Sequence, residues 1–164
     1  MKGIIIYATK NGCTEKAVRL LQAKLPEGVK AVNLENEKAP DLSYIDTVII
    51  GCPVYVGKTL KIMTDFIQQN LEILKSKSLA LFVCAGEQDS VRSQKLIAST
   101  YPEELYNRAI IRESFGGELH WDKLDFITKI MLRLVKGIKE GYFRLSEEKI
   151  DKFASCVLET NRIR

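Results

Sequence analysis

No apolar run in this sequence is long and uncharged enough to cross a bilayer as a helix. The chain passes from Met1-Lys2-Gly3 straight into a hydrophobic strand, with nothing resembling a secretion signal, so the expected location is the cytoplasm. Neither the Gly-x-Gly-x-x-Gly of dinucleotide folds nor the Gly-Lys-Ser/Thr ending of a P-loop is present. Charge of one sign is scarce in net terms: 25 Lys and Arg against 21 Asp and Glu leave +4, a solvated surface rather than a nucleic-acid footprint. Histidine and tryptophan occur once each, as His120 and Trp121. The four cysteines, Cys13, Cys52, Cys84 and Cys156, lack zinc-type pairing and are expected as thiols in a reducing compartment. Three of them fall at the ends of predicted strands and would converge in a parallel sheet, either as small side chains under a ligand or as a metal site.

What is present begins with Ile4 to Thr14. Ile4 to Tyr7 is a continuous apolar run suited to a strand buried on both faces. Thr9, Lys10, Asn11, Gly12, Cys13 and Thr14 follow at once, and the apolar spacing then turns helical at Ala17, Val18, Leu21 and Leu25. Hydroxyls, a glycine and a helix N-terminus behind a strand form an anion site, here sized for one terminal phosphate. A polar turn with an N-cap threonine is the plainer alternative.

Further strands are predicted over Val29–Asn33, Tyr44–Gly51, Leu79–Cys84 and Ala109–Phe115. Between them, Met63, Phe66, Ile67, Asn70, Leu71 and Leu74 share one helix face, and a second helix runs Ser90–Tyr101 to its stop at Pro102. A closing helix uses Ile150, Phe153, Ala154, Val157 and Leu158, with Ser146 as its N-cap. There is no repeat or linker, and 164 residues at 46% hydrophobic content make one domain over 1–164. Alternating strands and helices imply an α/β sandwich, a doubly wound parallel sheet covered on both sides by right-handed crossovers. Ligands of such sheets lodge beyond the carboxyl ends of the strands, where the winding reverses. The loops Thr9–Thr14, Cys52–Gly57 and Cys84–Gln88 would meet there.

With those loops the chain resembles the flavodoxin-like FMN-binding family. That resemblance implies a five-stranded sheet of order 2-1-3-4-5, with FMN at its switch point. The first loop resembles the family's Thr-x-Thr-Gly-x-Thr phosphate grip, with Thr9, Gly12 and Thr14 in register, Asn11 replacing the middle Thr and Cys13 at a position often Asn. Lys10 completes it. Pro53, Val54, Tyr55, Val56 and Gly57 look like the loop that flanks one face of the isoalloxazine. Tyr55 is then the candidate stacking ring, unless it is merely an exposed loop aromatic, and Gly57 would let a backbone carbonyl approach flavin N5. Cys84, Ala85, Gly86, Glu87 and Gln88 match the loop whose N–H groups bind the pyrimidine end.

Within the family the chain is similar to the menaquinone-dependent protoporphyrinogen dehydrogenase branch over nearly its whole length. The matching features are the Thr-Lys-Asn-Gly loop, Tyr-Val-Gly-Lys, and an insertion from Leu119 to Arg144. On a helical wheel Leu124, Phe126, Ile127, Ile130, Met131, Leu134, Val135 and Ile138 share about half the circumference. Asp125, Lys129, Arg133, Lys136 and Lys139 take the other side, with Leu132 an intruder. This is the pattern of a helix lying in a membrane interface over 122–139, or of one whose apolar face packs on its own sheet or a second copy. Lys10 and Lys58 flank the flavin loops and would favour two-electron turnover with a quinone over one-electron shuttling to a redox protein. The implied partners are a quinone or redox protein and a hydrophobic donor such as protoporphyrinogen. His120 and Trp121 suit either proton handling and substrate stacking, or a loop histidine beside an anchoring tryptophan.

Overall fold

The computed structural model describes residues 2–55, 57–123 and 126–162, without the side chains of residues 123, 128, 131, 135 and 136. The three strongest apolar runs become the centre of one sheet. They are β1 (Gly3–Tyr7), β3 (Thr47–Pro53) and β4 (Ser78–Cys84), every residue of them buried. β2 (Lys30–Asn33) and β5 (Ile111–Ser114) form its edges, in the order β2-β1-β3-β4-β5, all pairs parallel. This is the expected five-stranded sheet.

The pleat divides each buried strand between two cores. Ile5 and Tyr7 face α1 (Cys13–Gln22) and the closing helix Glu147–Arg162, against Val18, Leu21, Phe153 and Val157. Ile4 and Ile6 face the opposite layer, with Met63, Phe66, Leu74, Ile97 and Leu105. Those residues lie on α2 (Lys61–Gln69), α3 (Leu71–Lys75), α4 (Ser90–Thr100) and α5 (Glu103–Arg108). On the first side Phe82 stacks on Phe115 at 4.5 Å, and Phe153 meets both rings edge-on. Such aromatic pairs add about 0.5–1.5 kcal/mol each beyond simple burial.

Several expected boundaries move, each for a local reason. The strand expected over Tyr44–Gly51 starts at Thr47 and runs on through Cys52 and Pro53. Tyr44 is instead exposed in a turn, with Ile45 N–H donating to Leu42 O. Pro53 is tolerated in the strand because β1 has ended at Tyr7, opposite Gly51, so no partner needs its missing N–H. The helix expected to run unbroken from Met63 to Leu74 divides at Asn70 (φ −113°, ψ 11°), whose side-chain amide donates to Phe66 O at 2.8 Å. Beyond Pro102, read as a stop, the backbone starts α5. Ser146 does cap the closing helix, its Oγ accepting from Lys149 N.

The insertion is more than a helix. β6 (Glu118–Leu119) pairs antiparallel with β7 (Tyr142–Phe143), closing a short ribbon around a 3-10 turn (Trp121–Lys123) and α6 (Phe126–Lys136). Its continuation is α7 (Glu147–Arg162). On α6, the residue read as an intruder, Leu132, is the buried one among the described side chains. Phe126, Ile127 and Leu134 of the expected apolar face are 76%, 78% and 81% exposed. The packing of that face on the chain's own sheet is therefore not what occurs at these residues: both sheet faces are already covered by α1 with α7 and by α2–α5. Leu124 and Asp125, and the side chains of Met131, Val135 and Lys136, lie outside the described residues.

Candidate functional site

β1, β3 and β4 all point their carboxyl ends to one rim, and the loops that leave them meet there. In the first loop, Gly12 takes a left-handed φ of 81°, a conformation that costs a residue with a Cβ about 1–2 kcal/mol. This bend lets Gly12 N–H donate to Thr9 Oγ1 at 3.1 Å while Gly12 O accepts from Lys16 N at 3.0 Å, starting α1. Lys10 and Asn11 are exposed at the loop's tip, whereas Cys13 and Thr14 are buried in the first helical turn. The Thr14 hydroxyl has no hydrogen-bond partner among the described residues. Its polarisable neighbour is the Cys84 sulfur.

The second loop is a tight turn. Tyr55 N–H donates to Lys58 O at 2.8 Å, Lys58 N–H returns to Tyr55 O at 3.0 Å, and Gly57 supplies the positive φ of 79°. Val54, buried, ties the turn to β4 through its N–H to Cys84 O at 3.0 Å. Val56 lies outside the described residues. Tyr55 is 36% exposed, and burial pushes its hydroxyl up to about 12. The nearby Cys13 and Cys84 thiols add to that rise, and hydrogen bonding with Asn11 opposes it. The ring thus stands between the first and second loops, against Asn11.

In the third loop, Ala85 N–H is committed to Gly116 O at 2.9 Å. The Glu87 carboxylate accepts Gln88 N and Asp89 N, each at 3.0 Å, folding the loop back on itself. Among the described residues, Gly86 N–H and Glu87 N–H have no protein acceptor. The expected role of this loop as an amide donor therefore narrows to those two groups, since Ala85 and Gln88 are already used. A cavity of about 230 Å³ opens between the loop, Gly116 and Arg144.

The three rim cysteines do not converge. Cys52 pairs in register with Val83, and Pro53 with Cys84, so Cys52 and Cys84 are one residue out of step and point to opposite faces. Cys52 donates to the buried Tyr101 hydroxyl at 3.4 Å, in the α2–α5 layer. Cys84 joins Cys13 in the other layer, where the proximity of the two thiols lowers the pKa of Cys13 and raises that of Cys84. No cluster of three metal-ligating side chains occurs among the described residues.

The sequence suggests an insertion that reaches toward the flavin loops, but not the contacts that hold it at this rim. Glu118, its side chain 7% exposed, pairs with Lys16 of α1 at 2.6 Å and raises the pKa of that ammonium. His120 Nε2 lies 3.7 Å from the other Glu118 oxygen, and its ring meets Phe143 edge-on at 5.1 Å. Trp121 lies under the Arg133 guanidinium, 5.3 Å from its ring centroid. The only advance sign was the glycines bounding the insertion, Gly116, Gly117 and Gly141, where backbone packs against backbone.

A flavodoxin-domain family profile matches residues 4–146. The chain belongs to the flavodoxin-domain family. No curated protein sequence matches it closely enough to count as a relative. Among solved structures it is similar to flavodoxin 2 from Bacillus cereus (TM-score 0.62, 21% identity, 98% of this chain and 99% of that one). It is also similar to a Fusobacterium nucleatum flavodoxin bound to flavin mononucleotide (TM-score 0.51, 15% identity, 98% and 99%). The rubredoxin:oxygen oxidoreductase of Desulfovibrio gigas matches with TM-score 0.64 and 16% identity, over 98% of this chain and 36% of that one. At these identities the likeness is one of fold. Family membership carries FMN as the cofactor, and the residues fit it: the Thr14 hydroxyl at the start of α1 could take the phosphate, and the two unpaired amides of the third loop an edge of the ring. FMN supplies the redox chemistry when bound, and the protein's part is to hold and tune it.

Proposed function

We propose that this flavodoxin-domain protein is an FMN-dependent oxidoreductase that passes reducing equivalents from a hydrophobic donor, such as protoporphyrinogen, to a membrane quinone. The observation that carries the reading is the outward apolar face of α6, with Phe126, Ile127 and Leu134 exposed on an insertion tied to the flavin rim through Glu118 and Lys16. An exposed apolar face of this kind marks a docking surface. The occupant we assign to it is an anionic lipid surface: Lys129 and Arg133 complement lipid headgroups while the apolar side chains enter the acyl boundary. The site is then at the inner face of a membrane, within reach of a quinone pool. Exposed Lys10 and Lys58 beside the first and second loops favour the fully reduced, anionic flavin and hence two-electron turnover.

The test is an assay of the FMN-loaded protein with protoporphyrinogen and a menaquinone analogue, with and without vesicles containing phosphatidylglycerol. Turnover that rises with vesicles supports the reading; a yellow protein inert under both conditions removes it. The second reading, a flavodoxin-type electron carrier, draws on the family match over 4–146. Redox titration separates the two: widely split one-electron steps with a very low second potential favour the carrier, and a single two-electron step favours the dehydrogenase.

A further inference from the structure

Tyr142, on β7, lies against the third flavin loop. A Cβ on Gly86 would overlap its hydroxyl and ring, so Gly86 is the residue type that lets the two approach. The approach is fixed from both sides of the ribbon. Gly117 lies so close to the same loop that a Cβ there would sit 2.9 Å from Ala85 C and 3.0 Å from Gly86 N. Arg144 N–H donates to Gly117 O at 2.8 Å, Ser146 N–H to Phe115 O at 2.8 Å, and the Lys16–Glu118 pair holds the opposite strand to α1. The Tyr142 ring is capped by the Arg144 guanidinium at 4.9 Å from its centroid.

The third loop, Cys84-Ala85-Gly86-Glu87-Gln88, has no aromatic of its own. Its unpaired amides at Gly86 and Glu87 would hold the edge of a flat ring without covering either face. Tyr55 is available from the second loop. Tyr142 is the aromatic that packs on the third, and it is close enough to Cys13 of the first loop for that thiol to add to the rise that burial gives its pKa. A conjugated tricycle with one aromatic neighbour leaves a face to be covered, and a second aromatic there is worth a severalfold gain in affinity.

We propose that Tyr142 of the inserted ribbon is a cofactor-binding residue, the aromatic wall of the flavin site at the third loop. The insertion is then part of the cofactor site as well as a docking element. This rests on FMN being the ligand, and the experiment keeps the two ideas apart. FMN is titrated into apoprotein of the wild type, Tyr142→Phe, Tyr142→Leu and the neighbouring control Phe143→Ala, followed by quenching of flavin fluorescence. Tyr142→Leu should raise Kd about tenfold, equivalent to about 1.4 kcal/mol, and leave the bound flavin brighter. Tyr142→Phe should stay within about threefold of wild type with quenching retained, and Phe143→Ala should match wild type. In parallel, wild-type protein with isotope-labelled tyrosine is examined by NMR for contacts between the Tyr142 ring and flavin protons, which needs no variant to fold. Unchanged Kd and quenching in Tyr142→Leu, or no Tyr142–flavin contact in the loaded wild type, overturns the proposal. Failure of wild type itself to bind FMN would instead remove the cofactor on which it stands.

Discussion

The sheet body and the insertion are built from the same residue types and use them in opposite ways. Phe82, Phe115 and Phe153 are 0% exposed and pack on one another, while Phe126, Ile127 and Leu134 on α6 are more than three-quarters exposed. A run such as Ile4–Ile6 is buried by strands on both sides and helices above and below, so its position follows from pairing and pleat. α6 is held by its ribbon, and its periodicity specifies a face without specifying what that face meets. Between these extremes lies the rim, where loops are fixed by backbone hydrogen bonds and their side chains are half open.

Substitutions should sort by this gradient. In the body, Phe153→Ala removes the ring that meets both Phe82 and Phe115, and should cost about 3–5 kcal/mol of folding stability, read by urea denaturation. A loss below about 1 kcal/mol would mean that the triad does not organise this core. At the rim, Tyr55 has a folded-state pKa near 12, above its ordinary value of 10.0. A raised pKa gives a contribution fully present below pH 10 and lost as pH climbs through 12. Burial also raises the pKa of Tyr7, Tyr101 and Tyr142, so absorbance titration of Tyr55→Phe should lose one tyrosine's worth of ionisation near 12 and keep the rest. An unchanged amplitude near 12 in the variant would contradict this. On the insertion, the double substitution Phe126→Ser with Leu134→Ser should change folding stability by no more than about 0.5 kcal/mol. The same variant should lose sedimentation with anionic vesicles. Destabilisation of several kcal/mol would show that the face is covered by protein.

The same contrast explains what could be read in advance. Doubly buried runs announce β1, β3 and β4 because continuous β-branched sequence has few other homes. The first-loop bend is legible in Gly12 and the hydroxyls around it. The cysteine geometry is not, because whether Cys52 and Cys84 share a face depends on a one-residue register offset that spacing along the chain does not encode. β6 and β7 have two residues each, too few for any period, and are held by backbone contacts at Gly116, Gly117 and Gly141. Tyr142 was hidden for that reason: its neighbour Gly86 is 56 positions away in the chain.

Everything at the rim turns on whether three bends hold one flavin. Equilibrium titration of purified apoprotein with FMN is the direct measurement. If Thr14, Gly86 and Glu87 hold a singly phosphorylated ring as proposed, the titration gives one-to-one binding with Kd of about 1 μM or tighter. A protein that stays colourless and leaves flavin fluorescence unchanged at saturating FMN would contradict it.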